Sequence, residues 1–99
     1  MIPRQFEIGG HLIKVKRRRV VLSDEGERLV GYYMPYQDTI LLATWFDKSK
    51  LSEEAIEHNF FHELSYVIMI ALNDWDFNKD ESKIDMMGMM LAQFDKSRK

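Results

Sequence analysis

The sequence predicts an α+β fold, a small antiparallel sheet of three to four strands followed by two helices. Three observations carry that prediction. Between residues 6 and 43, short apolar or β-branched runs are punctuated by Gly9-Gly10, by the polar stretch 23–27 and by Pro35-Tyr36-Gln37-Asp38, the spacing of a meander. Between residues 52 and 73, apolar residues recur at steps of three and four, the period of a helix with one buried face. Asn78, with Glu81 three residues on, has the form of a capping box ahead of a second helical pattern that runs to about residue 94.

The 99 residues suffice for one small domain, residues 1–99, with a single core. Without cysteine, neither a disulfide framework nor a thiolate metal site is available. Lys plus Arg number 14 against 16 Asp plus Glu, a net charge of −2 that argues against a general polyanion binder. The opening residues lack the apolar centre of a signal peptide, and charged or polar residues interrupt every apolar run. A cytoplasmic protein with no membrane association is the expectation.

Taken in order, Phe6 and Ile8 alternate with Glu7 in a first strand, and Gly9-Gly10 makes a turn or bulge. Residues 11–16 form the next strand, with Val20-Val21-Leu22 as an extension. The run Lys14, Lys16, Arg17, Arg18 and Arg19 has two readings. It can present alternate cations to phosphates. Alternatively, it is an edge strand whose charges discourage sheet-to-sheet association. The absence of interleaved aromatics and the acidic balance favour the second and disfavour nucleic acid as a partner. Residues 28–34 read as a strand broken by Gly31, and residues 39–43 as a short buried strand. Residues 44–50 then lead into the helix, with Trp45 and Phe46 covering the edge of the core.

Ser52 is placed to cap the first helix, Glu53 and Glu54 suit its positive end, and Leu51 with Ile56 has staple spacing. Ile56, Phe60, Leu64, Val67 and Ala71 mark the buried face, widened by Phe61, Ile68 and Leu72. In the second helix Ile84, Met87, Gly88 and Leu91 define the inner side, and Gly88 permits close approach to a neighbour. Met86, Met87, Met89 and Met90 read as adaptable core filler.

Chemistry concentrates in His62-Glu63-Leu64-Ser65-Tyr66. The stretch resembles the zinc-metallopeptidase signature H-E-x-x-H, in which two histidines four apart grip zinc and the glutamate takes a proton from metal-bound water. Tyr66 stands where the second histidine belongs. A phenol keeps its proton to pH ~10 and is a poor ligand at neutral pH. A purely structural set of roles is also open. His62 can bond Glu81 or Tyr66, Glu63 can pair with a strand arginine or accept from a backbone N–H, and the Tyr66 hydroxyl can bond a carboxylate. His58 and His62 are also four apart, but Phe61 occupies the place an inverted motif needs for glutamate, so His58 reads as an exposed helix residue.

The order of strands, His-Glu helix and a following helix with an early glutamate resembles small phage- and mobile-element-associated bacterial proteins with a zincin-like, minimal gluzincin fold. The likeness rests on Ile8-Gly9-Gly10-His11 with Ile13-Lys14-Val15, on Gly31-Tyr32 with Thr39-Ile40-Leu41, on residues 52–64 and on residues 78–85. It implies a zinc held by His62, by the residue at 66 and by Glu81, with Glu63 as catalytic base and Asp85, one turn on, orienting the ligands. With a phenol at 66, two ligands remain, fewer than the three that catalytic zinc commonly uses. The expectation is therefore a degenerate metallopeptidase-like domain that acts by binding a peptide or protein. The alternative is an active zinc metallopeptidase with Glu63 as general base.

Overall fold

A computed structural model describes residues 2–8, 10–71 and the five positions 81, 84, 85, 88 and 91. Strand β1 (Gln5–Ile8) pairs antiparallel with β2 (His11–Arg18), from Ile8 with His11 to Gln5 with Lys14. Gly10 has φ 82°, a conformation that L side chains rarely adopt and that glycine supplies without strain. The chain then leaves the sheet. Val21–Leu22 (β3) pairs with Arg28–Leu29 (β4) as a separate two-stranded ribbon. Ser23 closes its turn by accepting from the backbone N–H groups of Glu25 and Glu27 at 3.2 and 3.0 Å.

Strand β5 (Gly31–Met34) re-enters the main sheet, and a 3-10 turn over Pro35–Gln37 with Asp38 at φ 48° leads into β6 (Thr39–Ala43). The sheet order is β1-β2-β6-β5. β6 runs antiparallel to β5 but parallel to β2, from Lys14 opposite Thr39 to Arg18 opposite Ala43. A second ribbon follows, β7 (Trp45–Phe46) and β8 (Ser49–Lys50), joined by Asp47 and Lys48 at φ 51° and 67°.

Helix α1 (Glu53–Ala71) starts as its sequence predicts. The Ala55 N–H donates to Ser52 Oγ at 3.1 Å, and Ile56 is buried in the core against which half-buried Leu51 packs. Ile56, Phe60, Phe61 and Val67 form one core with Ile13, Ile40 and Leu42 of the central strands. Phe6 meets Phe60 edge-on at 6.0 Å between ring centroids. Leu64 and Ile68 are half-buried and Ala71 is exposed, whereas Met69 is buried. The buried stripe is thus broader on one side than the apolar letters suggest.

Three expectations need correction. The predicted architecture, an antiparallel sheet followed by two helices, does not hold. The described residues form one four-stranded mixed sheet, two ribbons and a single delimited helix. The physical reason is that residues 39–43 are the most apolar strand and take a central position beside β2, where both edges are paired and four of the five side chains are buried. The second helix expected over residues 78–94 lies largely outside the described residues, although Glu81, Ile84, Asp85, Gly88 and Leu91 are each helical. Second, β2 is not an edge strand along its first half, because β1 covers its outer edge over residues 11–15; beyond that β6 alone pairs with it. Third, residues 44–50 form the β7–β8 ribbon, and neither Trp45 nor Phe46 belongs to the core cluster. Among the described residues no helix is long and apolar enough to cross a membrane.

Candidate functional site

α1 lies across the sheet with His62, Glu63 and Tyr66 on the side nearest β5. Together with Gly31, Tyr32 and Tyr33 they border a cleft of about 520 Å³ that Glu81 and Asp85 also line. The backbone register explains the character of its strand wall. The Ala43 N–H donates to Val30 O, so residue 30 belongs to a hydrogen-bonded pair. Such pairs alternate along antiparallel strands. Tyr32 and Met34 therefore turn their backbone groups to β6, while Gly31 and Tyr33 turn theirs to the outer edge. No other strand among the described residues pairs with that edge.

Glu63 sits where the helix and this edge meet. It is buried, at 7 % exposure, and accepts a hydrogen bond from the Tyr33 backbone N–H. Burial raises its carboxyl pKa to about 7. Glu81 adds to the rise, and His62 and the Tyr33 N–H oppose it. Gly31 is the residue that lets the carboxyl in. A Cβ at that position would stand 3.2 Å from Glu63 Cγ and 3.4 Å from its Oε2.

His62 is held between two carboxylates. Its Nε2 lies 2.8 Å from Glu81 Oε1, and its Nδ1 lies 3.3 Å from Asp85 Oδ1. A neutral ring carries one N–H and can donate to only one of them, whereas an imidazolium donates to both. The other Glu81 oxygen accepts from the Tyr66 hydroxyl. Burial, then the Glu81 hydrogen bond, pushes the Tyr66 pKa well above the ordinary phenol range. The tyrosine is therefore a neutral donor. Its ring meets His62 edge-on, with centroids 5.4 Å apart. His58 reaches the same Asp85 oxygen at 3.8 Å, and both of those side chains are about half exposed.

Gly88 makes the close approach possible. A Cβ there would meet His62 Cα at 2.9 Å and His62 N at 3.0 Å. Position 88 thus abuts the α1 backbone at the residue that carries the imidazole.

The structure brings His62, Tyr66, Glu81 and Asp85 into one hydrogen-bonded group, with Glu63 adjacent at the strand edge. His58 touches the group only through Asp85. Sequence reasoning did not identify Gly31 and Tyr33 as partners of Glu63. The one available signal was a glycine inside a strand pattern, which often marks close approach of another group.

The groups that the motif would offer a zinc ion, His62 and Glu81, are hydrogen-bonded to each other here. Both Glu81 oxygens and His62 Nε2 are engaged with one another or with Tyr66, and the phenol offers a proton rather than a lone pair. Among the described residues no three His, Asp or Glu side chains are grouped to hold a metal. Comparison with protein-family models, curated proteins and solved structures finds no match for this chain.

Proposed function

We propose that this chain binds an extended peptide or protein segment in the cleft between β5 and α1, and that it does so as a disarmed relative of zinc metallopeptidases. The observation that carries the reading is the contact from the Tyr66 hydroxyl to Glu81, made where the motif would place a metal-binding imidazole. Without metal, water keeps a pKa near 16 and Glu63 has no acidified nucleophile to activate. What remains is a recognition surface. The outer edge of β5 offers Gly31 N–H and C=O for strand addition, and Tyr32, Tyr33 and Ile70 offer apolar contact for alternate side chains. A role among phage- and mobile-element-associated bacterial proteins is part of the same reading, supported by the motif resemblance alone.

Calorimetric titration of zinc into metal-stripped protein and into Tyr66→His separates binding from catalysis. The wild type is expected to give no heat at micromolar zinc, and the variant to take up one ion per chain. Tight one-to-one uptake by the wild type would instead favour the active metallopeptidase, with peptide hydrolysis compared against Glu63→Gln. For the peptide itself, Gly31→Ala places a Cβ beside Glu63 but keeps the outward N–H, and against that control Gly31→Pro removes the N–H while leaving the β6 ladder intact. A peptide selected against the wild type should lose most of its affinity for this variant. Unchanged affinity would rule out strand addition at β5.

A further inference from the structure

The sheet face turned away from α1 carries cations that the cleft does not use. Ile13 of β2 is fully buried in the core, and side chains alternate along a strand. Lys14, Lys16 and Arg18 therefore stand on the opposite face, all three exposed, at intervals of ~6.6 Å. The row ends beside Arg19, whose guanidinium carbon lies over the Trp45 ring, 4.3 Å from its centroid. Arg19, Arg28 and Lys48 line a cavity of about 340 Å³ whose walls include Trp45 and Phe46, with no Asp or Glu among its described lining residues.

Two features distinguish this patch from an ordinary solvated charge run. The charge is segregated, since residues 11–22 hold five cations and no acid in a chain whose net charge is −2. Of those five, only Arg17 points back to α1, where it pairs with Glu53 at 2.6 Å. Moreover, β1 covers the outer edge of β2 only along residues 11–15, so guarding the open edge accounts for Lys16 and Arg18 at most and not for Lys14, inside the paired stretch, or Arg19, beyond the strand. The aromatics missing between the cations in sequence are supplied by the β7–β8 ribbon.

We propose that this face binds single-stranded nucleic acid, its phosphates following Lys14, Lys16 and Arg18 and a base stacking on the Arg19 guanidinium above Trp45. Every base has a π-face that a planar guanidinium or indole can stack against, so such a platform is sequence-tolerant. An acidic peptide or an anionic lipid headgroup would use the cations but not the stack. A duplex keeps its bases stacked on one another and would leave the Arg19–Trp45 platform unused. The site is separate from the peptide cleft and stands or falls independently of it.

The test is fluorescence anisotropy with a labelled oligothymidylate of about 16 nucleotides. The same-sequence duplex, polyglutamate and phosphatidylserine vesicles serve as comparison arms. The single strand should bind more tightly than the duplex, and neither polyglutamate nor vesicles should displace it. Its affinity should fall with salt, and each of Lys14→Gln, Lys16→Gln and Arg18→Gln should reduce the salt slope by about 0.7. Arg17→Gln should leave the slope unchanged. Trp45→Leu should weaken binding about tenfold. In Trp75→Phe, Trp45 is the sole tryptophan, and its emission should be quenched on binding, a readout that does not require altering Trp45. Absence of binding at low salt would overturn the proposal. So would equal binding of duplex, polyglutamate or vesicles with Trp45 emission unchanged, or single-strand binding indifferent to Lys14, Lys16 and Arg18.

Discussion

Tyr66 donates its hydroxyl to a carboxylate, whereas a histidine at that position would offer a lone pair. That difference sets the chemistry of the whole group. Tyr66→Phe removes the donor and leaves one Glu81 oxygen without its phenol partner, at an expected cost of about 1 kcal/mol, measured as a shift in the urea midpoint. Glu63 supplies a second residue-scale prediction. Its folded-state pKa of about 7 lies above the ordinary glutamate value of about 4.3. The folded chain therefore keeps a proton that the unfolded chain has already lost. This contribution to stability is complete below about pH 4 and disappears as pH rises to 7. Above pH 7 the buried carboxylate is a burden of at most about 4 kcal/mol. Glu63→Gln removes the titration. Relative to wild type, its stability should rise between pH 5 and pH 8, read from urea midpoints across that range. A constant difference would mean that the carboxyl does not change ionisation there.

Elements show which physical signals a sequence transmits and which it does not. Strand β6 and helix α1 were legible because period and capping are local, as Ser52 and the apolar steps from Ile56 to Val67 illustrate. The β7–β8 ribbon was not. Its turn residues, Asp47 and Lys48, both adopt positive φ, yet the pair lacks the Asn-Gly or Asp-Gly signature that usually announces a type I′ turn. Lysine in the left-handed region costs about 1 kcal/mol relative to glycine. Lys48→Gly should therefore raise the melting temperature, while a fall would show that the lysine makes a compensating contact. The hydrogen-bonded group at the site was legible in part. His62, Glu63 and Tyr66 announced themselves by motif, and Glu81 with Asp85 by resemblance. The burial of Glu63 beneath Gly31 depends on how β5 meets α1, which no local pattern encodes. Gly88 makes the same point in reverse. Gly88→Ala would gain about 1 kcal/mol of helix propensity. A methyl 2.9 Å from His62 Cα meets backbone that cannot rotate away, and overpacking costs about 1–3 kcal/mol. Net destabilisation is expected, with loss of peptide binding as His62 shifts.

At the scale of the molecule, the unexpected feature is the parallel pairing of β2 with β6. Alternation identifies a strand and its buried face but says nothing about its neighbour. A meander is the default for short strands joined by turns, and it would have placed the strands in sequence order. Instead, β6 occupies the centre of the sheet and β5 the edge that borders the cleft. The β3–β4 excursion gives the chain room to return parallel to β2. This order separates the two candidate surfaces, with the cleft between β5 and α1 and the cations of β2 on the other side of the sheet. It also predicts how stability is distributed. Ile13, Ile40 and Leu42 lie in strands paired on both edges and packed under α1, so their amides should open only with global unfolding. The two ribbons have two strands each, and a two-stranded pair is at best marginally stable in water by itself. Amides of β3, β4, β7 and β8 should therefore exchange through smaller, local openings. Hydrogen exchange under native conditions would resolve the two classes, and a denaturant dependence shared by ribbons and central strands would show that the ribbons unfold only with the core. Ribbon opening would also disassemble the Arg19–Trp45 stack without disturbing the cleft. A single-stranded oligonucleotide should accordingly slow exchange in β7 and β8, whereas a bound peptide should slow it in β5.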